Sequence, residues 1–133
     1  MLSIQLDLLQ WYLERGQAVQ ATILAREWLV SYVAWKIGKD LVRERESVED
    51  LLNDGVRAQE QHSPLPSLIS QLPNAGEIVK TWGWLRDLRN DVCHMGMRKQ
   101  PRKTKTILGD VDTLHSRLLG LWQASPTQVT QGD

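Results

Sequence analysis

Apolar residues recur three and four positions apart through nearly the whole chain, and Val, Ile and Thr never gather into an alternating run. That spacing fits one face of a helix and not one face of a strand, so the chain reads as helical throughout. Leu2, Leu6, Leu9 and Leu13 form a first stripe that ends near Gly16. Ala21, Leu24, Ala25, Trp28, Tyr32 and Trp35 form a second. Ile23, Val30, Val33 and Ile37 make this second helix apolar on most sides, as expected of a central element, and Gly38 closes it.

Further along, Ser47 is expected to cap a short helix carrying Val48, Leu51, Leu52 and Val56, which stops soon after Gly55 or runs weakly to Gln61. Residues His62 to Pro73 include three prolines, which predicts a loop with at most one helical turn around Ser67 to Leu72. Asn74 followed by Glu77 resembles a capping box, and Ile78, Trp82, Leu85 and Val92 then share one face to about Val92. After a basic loop bearing Gly and Pro, Ile107, Val111, Leu114, Leu118 and Leu121 give the clearest amphipathic pattern. From Ala124 the sequence is polar and is expected to be a disordered tail. The expectation is an all-α bundle of about five helices over residues 1–123, with a tail at 124–133 and Leu24, Trp28, Leu85, Leu114 and Leu118 in the core.

A chain of 133 residues buries a core without needing disulfides or a structural metal. Cys93 is the single cysteine, which excludes an internal disulfide and a zinc site built on paired cysteines; it reads as a small, half-buried hydrophobe. The first ten residues carry one acid and no base, and no apolar run approaches the length of a membrane span. A cytoplasmic location without membrane partners is therefore expected. Formal net charge is +0, which argues against a protein that coats duplex DNA through a broad basic face. The charge is unevenly distributed, however. Met95 to Thr106 holds five bases (Arg98, Lys99, Arg102, Lys103, Lys105) and no acid, whereas Arg43 to Glu60 leans acidic. Polyanion contacts are expected at the basic segment.

The run Leu88-Arg89-Asn90-Asp91-Val92-Cys93-His94 places a guanidinium, an amide and an imidazole within six residues at a helix end. On a helix Asn90 and His94 share a face, and Arg89 lies about 100° from Asn90. Arg89 and His94 are expected to flank one pocket, above all if the helix unwinds after Val92. Imidazole titrates near neutrality and exchanges protons, and a guanidinium grips phosphate with two parallel N–H donors. Together they suit cleavage of a phosphodiester by its own 2′-hydroxyl, which needs an activated oxygen and stabilised charge on phosphorus. Asp87 and Asp91 lack the further carboxylates of a magnesium nuclease, so no metal or other cofactor is expected.

Arg89-Asn90 followed by His94, on the penultimate helix of a small helical domain, resembles the Arg-x4-6-His signature of HEPN ribonucleases. The stretches Leu9 to Gly16, Gln20-Ala21 and Arg26 to Ser31 resemble the opening helices of HEPN domains that follow CARF sensor domains in CRISPR-associated ancillary ribonucleases. With His94-Met95-Gly96-Met97, the likeness spans nearly all of residues 1–122.

This resemblance implies a homodimeric, metal-independent endoribonuclease acting on single-stranded RNA in antiviral defence. Two sets of Arg89, Asn90 and His94 would meet at one composite cleft. Arg89 would bind the scissile phosphate or favour the 2′-oxyanion, His94 would exchange the proton or stabilise charge, and Asn90 would orient one of them. Arg98, Lys99, Arg102 and Lys103 would hold RNA phosphates. In such relatives a CARF sensor binds cyclic oligoadenylate and switches the nuclease on; here the sequence opens directly in the first helix, so the sensor is expected to be absent. Two alternatives remain. One is a non-catalytic helical dimerisation or binding module, and the other is the HEPN toxin of a nucleotidyltransferase toxin–antitoxin pair.

Overall fold

Residues 18–37 present apolar side chains around most of their circumference, so no single neighbour suffices to shield them from water. The computed structural model, which describes residues 1–95 and 101–124 and only the backbone of Pro101 and Arg102, resolves this by surrounding them. The helices run in the order α1 (Leu2–Glu14), α2 (Ala18–Ile37), α3 (Leu41–Glu60), α4 (Ser67–Ser70), α5 (Ala75–His94), α6 (Pro101–Val111) and α7 (Leu114–Gln123). No strand occurs among the described residues. Helices α1, α3, α5, α6 and α7 all pack on α2. The protein is thus an all-α bundle, and no helix among the described residues is long and apolar enough to cross a membrane. The segment with Arg98 and Lys99 and the expected tail beyond Ala124 lie outside the described residues.

Buried aromatics with paired polar atoms hold these helices together. The Trp28 indole N–H donates to the Leu2 carbonyl of α1 at 3.0 Å, and the Tyr32 hydroxyl donates to the Leu121 carbonyl of α7 at 3.3 Å. Trp28 stacks on Tyr32 with ring centres 5.0 Å apart, and Trp122 of α7 meets Trp28 edge-on at 6.3 Å. On the other side of α2, the Trp82 indole of α5 donates to Asn53 Oδ1 of α3 at 2.9 Å. A buried N–H left unpaired would cost about 1–3 kcal/mol, so these interactions specify neighbours as well as fill volume. Helices α3 and α5 approach closely at Gly55, where a Cβ would lie only 2.8 Å from Val79 Cγ2. Valine has little χ1 freedom with which to move aside, so glycine is what permits this crossing.

The core agrees with the apolar stripes. Trp28, Leu85, Leu114 and Leu118 are fully buried, whereas Leu24 is half-buried at the edge of the cluster. The stripe from Ile107 to Leu121 is buried throughout, but two helices carry it. The break falls at Asp112 and Thr113, where the Thr113 N–H and hydroxyl both donate to the Asp110 carbonyl. A threonine that satisfies its own turn ends one helix and starts the next without losing the phase of the stripe.

Two helix starts differ from expectation. Ser47 does not cap α3 but is exposed within it. The cap is Asp40, whose carboxylate accepts the Val42 N–H at 3.0 Å, and a kink at Glu44 (φ −120°, ψ 16°) joins this first turn to the rest. Asp caps as well as Ser, and Asp40 lies within reach of the Gly38 turn. Asn74 precedes α5 as expected, yet its backbone is left-handed (φ 59°, ψ 26°) and its side chain makes no capping bond. A capping box needs an extended backbone at that residue, so the expected Asn74–Glu77 exchange does not form.

Helix ends are closed in one repeated way. After α1 the Gly16 and Gln17 N–H groups donate to the Leu13 and Tyr12 carbonyls, and after α2 the Gly38 and Lys39 N–H groups donate to those of Trp35 and Ala34. After α3 the same pair of bonds runs from His62 and Ser63 to Gln59 and Ala58. This double bonding requires a left-handed residue, which Gly16 (φ 65°) and Gly38 (φ 73°) adopt without penalty. His62 (φ 55°) adopts it at a cost. His62 is exposed, so His62→Gly should raise stability by about 0.5–1 kcal/mol in urea denaturation, the gain being tempered by a looser unfolded chain. Gly38→Ala should lower it by about 1 kcal/mol. A loss of stability in His62→Gly would contradict this reading of the α3 terminus.

Candidate nucleic-acid interface

One helix carries Arg89, Asn90 and His94, and its apolar face decides where they point. Ile78, Val79, Trp82, Leu85, Leu88 and Val92 of α5 are buried, anchoring the helix almost to its last turn. Leu88 and Val92 sit in the core, whereas Arg89, Asn90, Cys93 and His94 are all exposed and Asp91 is half-buried. Cys93 is therefore not the half-buried hydrophobe expected. Asp87 pairs with Arg86 at 3.2 Å, not with Arg89. Among the described residues, neither Arg89, Asn90 nor His94 makes a side-chain hydrogen bond or an ion pair.

The helix does not unwind after Val92 but runs through His94, and Met95 still has helical angles (φ −57°, ψ −40°). This corrects the expected convergence of Arg89 and His94 on one pocket. Five residues of regular helix separate them by about 140° around the axis and about 7.5 Å along it. Asn90 and His94, only about 40° apart, do share a face. Within one chain the amide and imidazole thus act from one direction and the guanidinium from another.

Arg26 of α2 stands beside this group and carries no role in the sequence reading. Its guanidinium carbon lies 4.6 Å from the centre of the Trp82 ring. The two acids near it are engaged elsewhere, since Arg45 of α3 pairs with Glu27 and, at 3.1 Å, with Glu49. Burial lowers the Arg26 pKa; Glu49 opposes that shift and the positive charge of Arg89 adds to it. Arg45 is shifted upward, first by its hydrogen bond to Glu27. The available signal for Arg26 was a lone arginine inside the apolar stretch from Ala21 to Val33.

Of the basic segment, Arg98 and Lys99 lie outside the described residues, Arg102 is described in backbone only, and Lys103 is exposed. The expected basic loop gives way to helix by Pro101, so Arg102, Lys103 and Lys105 lie on α6. Proline at a first helical position gives up no hydrogen bond and starts the helix with a suitable φ. Trp84 is half-buried, with the Arg117 guanidinium of α7 lying 4.0 Å from its ring centre. The stacked pair is packing between α5 and α7. His62 closes α3, and His115 is half-buried on α7. Among the described residues no three His, Cys, Asp or Glu side chains group as metal ligands.

Compared with known proteins, the chain matches no protein-family model, no curated protein and no solved structure.

In the sequence the basic residues at 98–103 follow shortly after α5. Replacing Arg98, Lys99, Arg102 and Lys103 together by alanine should weaken single-stranded RNA binding across unrelated sequences. It should also flatten the dependence of log affinity on log salt by about 0.7 for each phosphate that is no longer neutralised. An unchanged slope in a fluorescence-anisotropy salt titration would leave these residues as a solvated connector.

Proposed function

We propose that the protein is a metal-independent endoribonuclease of HEPN type, cleaving single-stranded RNA at a composite site shared by two copies of the chain. The observation that carries this reading is the exposure of Arg89, Asn90 and His94 at the end of the anchored helix α5, with none of their side-chain polar groups committed to another described residue. Side chains exposed and uncommitted in this way offer a guanidinium for phosphate and an imidazole for proton transfer.

The continuity of α5 through His94 also favours a shared site. With Arg89 and His94 about 140° apart on one helix, a single chain surrounds a phosphodiester poorly, whereas a two-fold axis beside α5 brings a second set to its open side. The doubled positive charge then faces the phosphorus as negative charge develops there. In this mechanism the 2′-oxygen attacks phosphorus, the bond to the 5′-oxygen breaks, and the products are a 2′,3′-cyclic phosphate and a 5′-hydroxyl. Arg89 holds the non-bridging oxygens. His94 takes or returns a proton at an attacking or leaving oxygen, and Asn90, on the same face, orients it. The proposed setting is cytoplasmic, in CRISPR-associated or other antiviral defence.

A second reading, a non-catalytic dimerisation or binding module, draws on α1. That helix buries Leu2, Leu6 and Leu9 but leaves Ile4, Leu8 and Trp11 exposed along its other side.

Cleavage should persist in excess EDTA and should stop when the nucleotide at the scissile position lacks its 2′-hydroxyl. His94→Ala and Arg89→Ala should each lower the rate by about 10²-fold or more. Single-turnover cleavage of a labelled RNA measures all three. Equal rates for wild type and the double variant, or equal cleavage of DNA, would refute the enzyme and leave the binding module.

A further inference from the structure

Arg26 has the properties of an anion ligand waiting for its partner. It is fixed: its guanidinium lies over the ring of Trp82, which is itself buried and held by Asn53. It also forms no ion pair with a described acid: Glu49 and Glu27 act on it only at longer range and are themselves paired with Arg45. Finally, it faces the candidate site. Trp82 and Arg89 are seven residues apart on α5, which places them on nearly the same stripe, about 10.5 Å apart along the axis. A guanidinium over Trp82 therefore shares that stripe with Arg89. Burial, opposed by Glu49 and reinforced by the Arg89 charge, disfavours the charged form of Arg26. Two like charges on adjacent helices repel, and an anion between them turns that repulsion into attraction.

We propose that Arg26 and Arg89 form a two-guanidinium site across α2 and α5 that binds neighbouring phosphates of a single-stranded polynucleotide. The nature of the ligand rests on the ribonuclease reading, in which Arg89 holds the scissile phosphate; Arg26 then holds the phosphate next to it. Guanidinium suits this task because its planar donors grip two phosphate oxygens while its face remains on the indole. Lysine in its place keeps the charge but loses both the fork and the stacking.

The test uses the whole chain and a single-stranded DNA oligonucleotide, which binds without being cut. Anisotropy titrations over a range of salt compare wild type, Arg26→Gln, Arg26→Lys, Arg89→Gln and the control Arg43→Gln, an exposed cation at the start of α3. Arg26→Gln should weaken binding roughly tenfold and lower the salt slope by about 0.7, as should Arg89→Gln. Arg43→Gln should change neither. Arg26→Lys should keep the slope and bind several-fold more weakly than wild type, and it carries the test if the glutamine variant fails to fold. Wild-type affinity and slope in Arg26→Gln, wild-type affinity in Arg26→Lys, an equal loss in Arg43→Gln, or no binding by wild type would each overturn the proposal. Cleavage of RNA separates the two levels. If wild type binds as described yet never cuts RNA, the nuclease reading fails and the anion site stands. If RNA is cut while Arg26→Gln binds as wild type does, the anion site fails and the nuclease reading stands.

Discussion

Two buried indoles on opposite sides of one helix set the geometry from which everything else follows. Trp28 of α2 donates its N–H to the backbone of α1 and packs on Trp122 of α7, while Trp82 of α5 donates to Asn53 of α3 and lies under Arg26 of α2. Each ring brings a large apolar area that favours burial and one N–H that must find an acceptor. Meeting both demands at once permits few arrangements of the surrounding helices. It also orients α5: Trp82 turned inward keeps Leu85, Leu88 and Val92 in the core and turns Asn90 and His94 away from it, while Arg89, on nearly the Trp82 stripe, is exposed toward the end of the helix.

Much of this was legible in the sequence because it depends on period. The stripes of α1, α2, α5 and the final pair of helices are regular, and burial follows them at Leu6, Trp28, Leu85 and Leu118. What was not legible depends on competition between local options. Asp40 and Ser47 are both good caps, and the Gly38 turn favours Asp40. Asn74 and Glu77 have the spacing of a reciprocal cap, but a left-handed backbone at Asn74 prevents it. The division of the last stripe at Thr113 leaves the apolar phase intact and so leaves no mark on it.

The candidate site shows the same division. That Arg89, Asn90 and His94 lie together at a helix end was readable from spacing alone. Whether the helix stops at Val92 was not, and its continuation through His94 matters most for chemistry, because it points Arg89 and His94 in different directions. Arg26 is distant in sequence from all three and is brought to α5 by its packing on Trp82. Charges such as Arg26 and Glu27 inside an apolar helix signal that something must solvate or pair with them, but not what.

The central claim is that two chains build one cleft, and subunit mixing tests it most directly. Wild type and His94→Ala are mixed in varied proportion, allowed to exchange subunits, and assayed for RNA cleavage at constant total protein. A shared cleft that needs both sets makes activity follow the square of the wild-type fraction, so an equal mixture should retain about one quarter of the wild-type rate. An activity of about one half, linear in the wild-type fraction, would mean that each chain works alone, and the composite site would be contradicted.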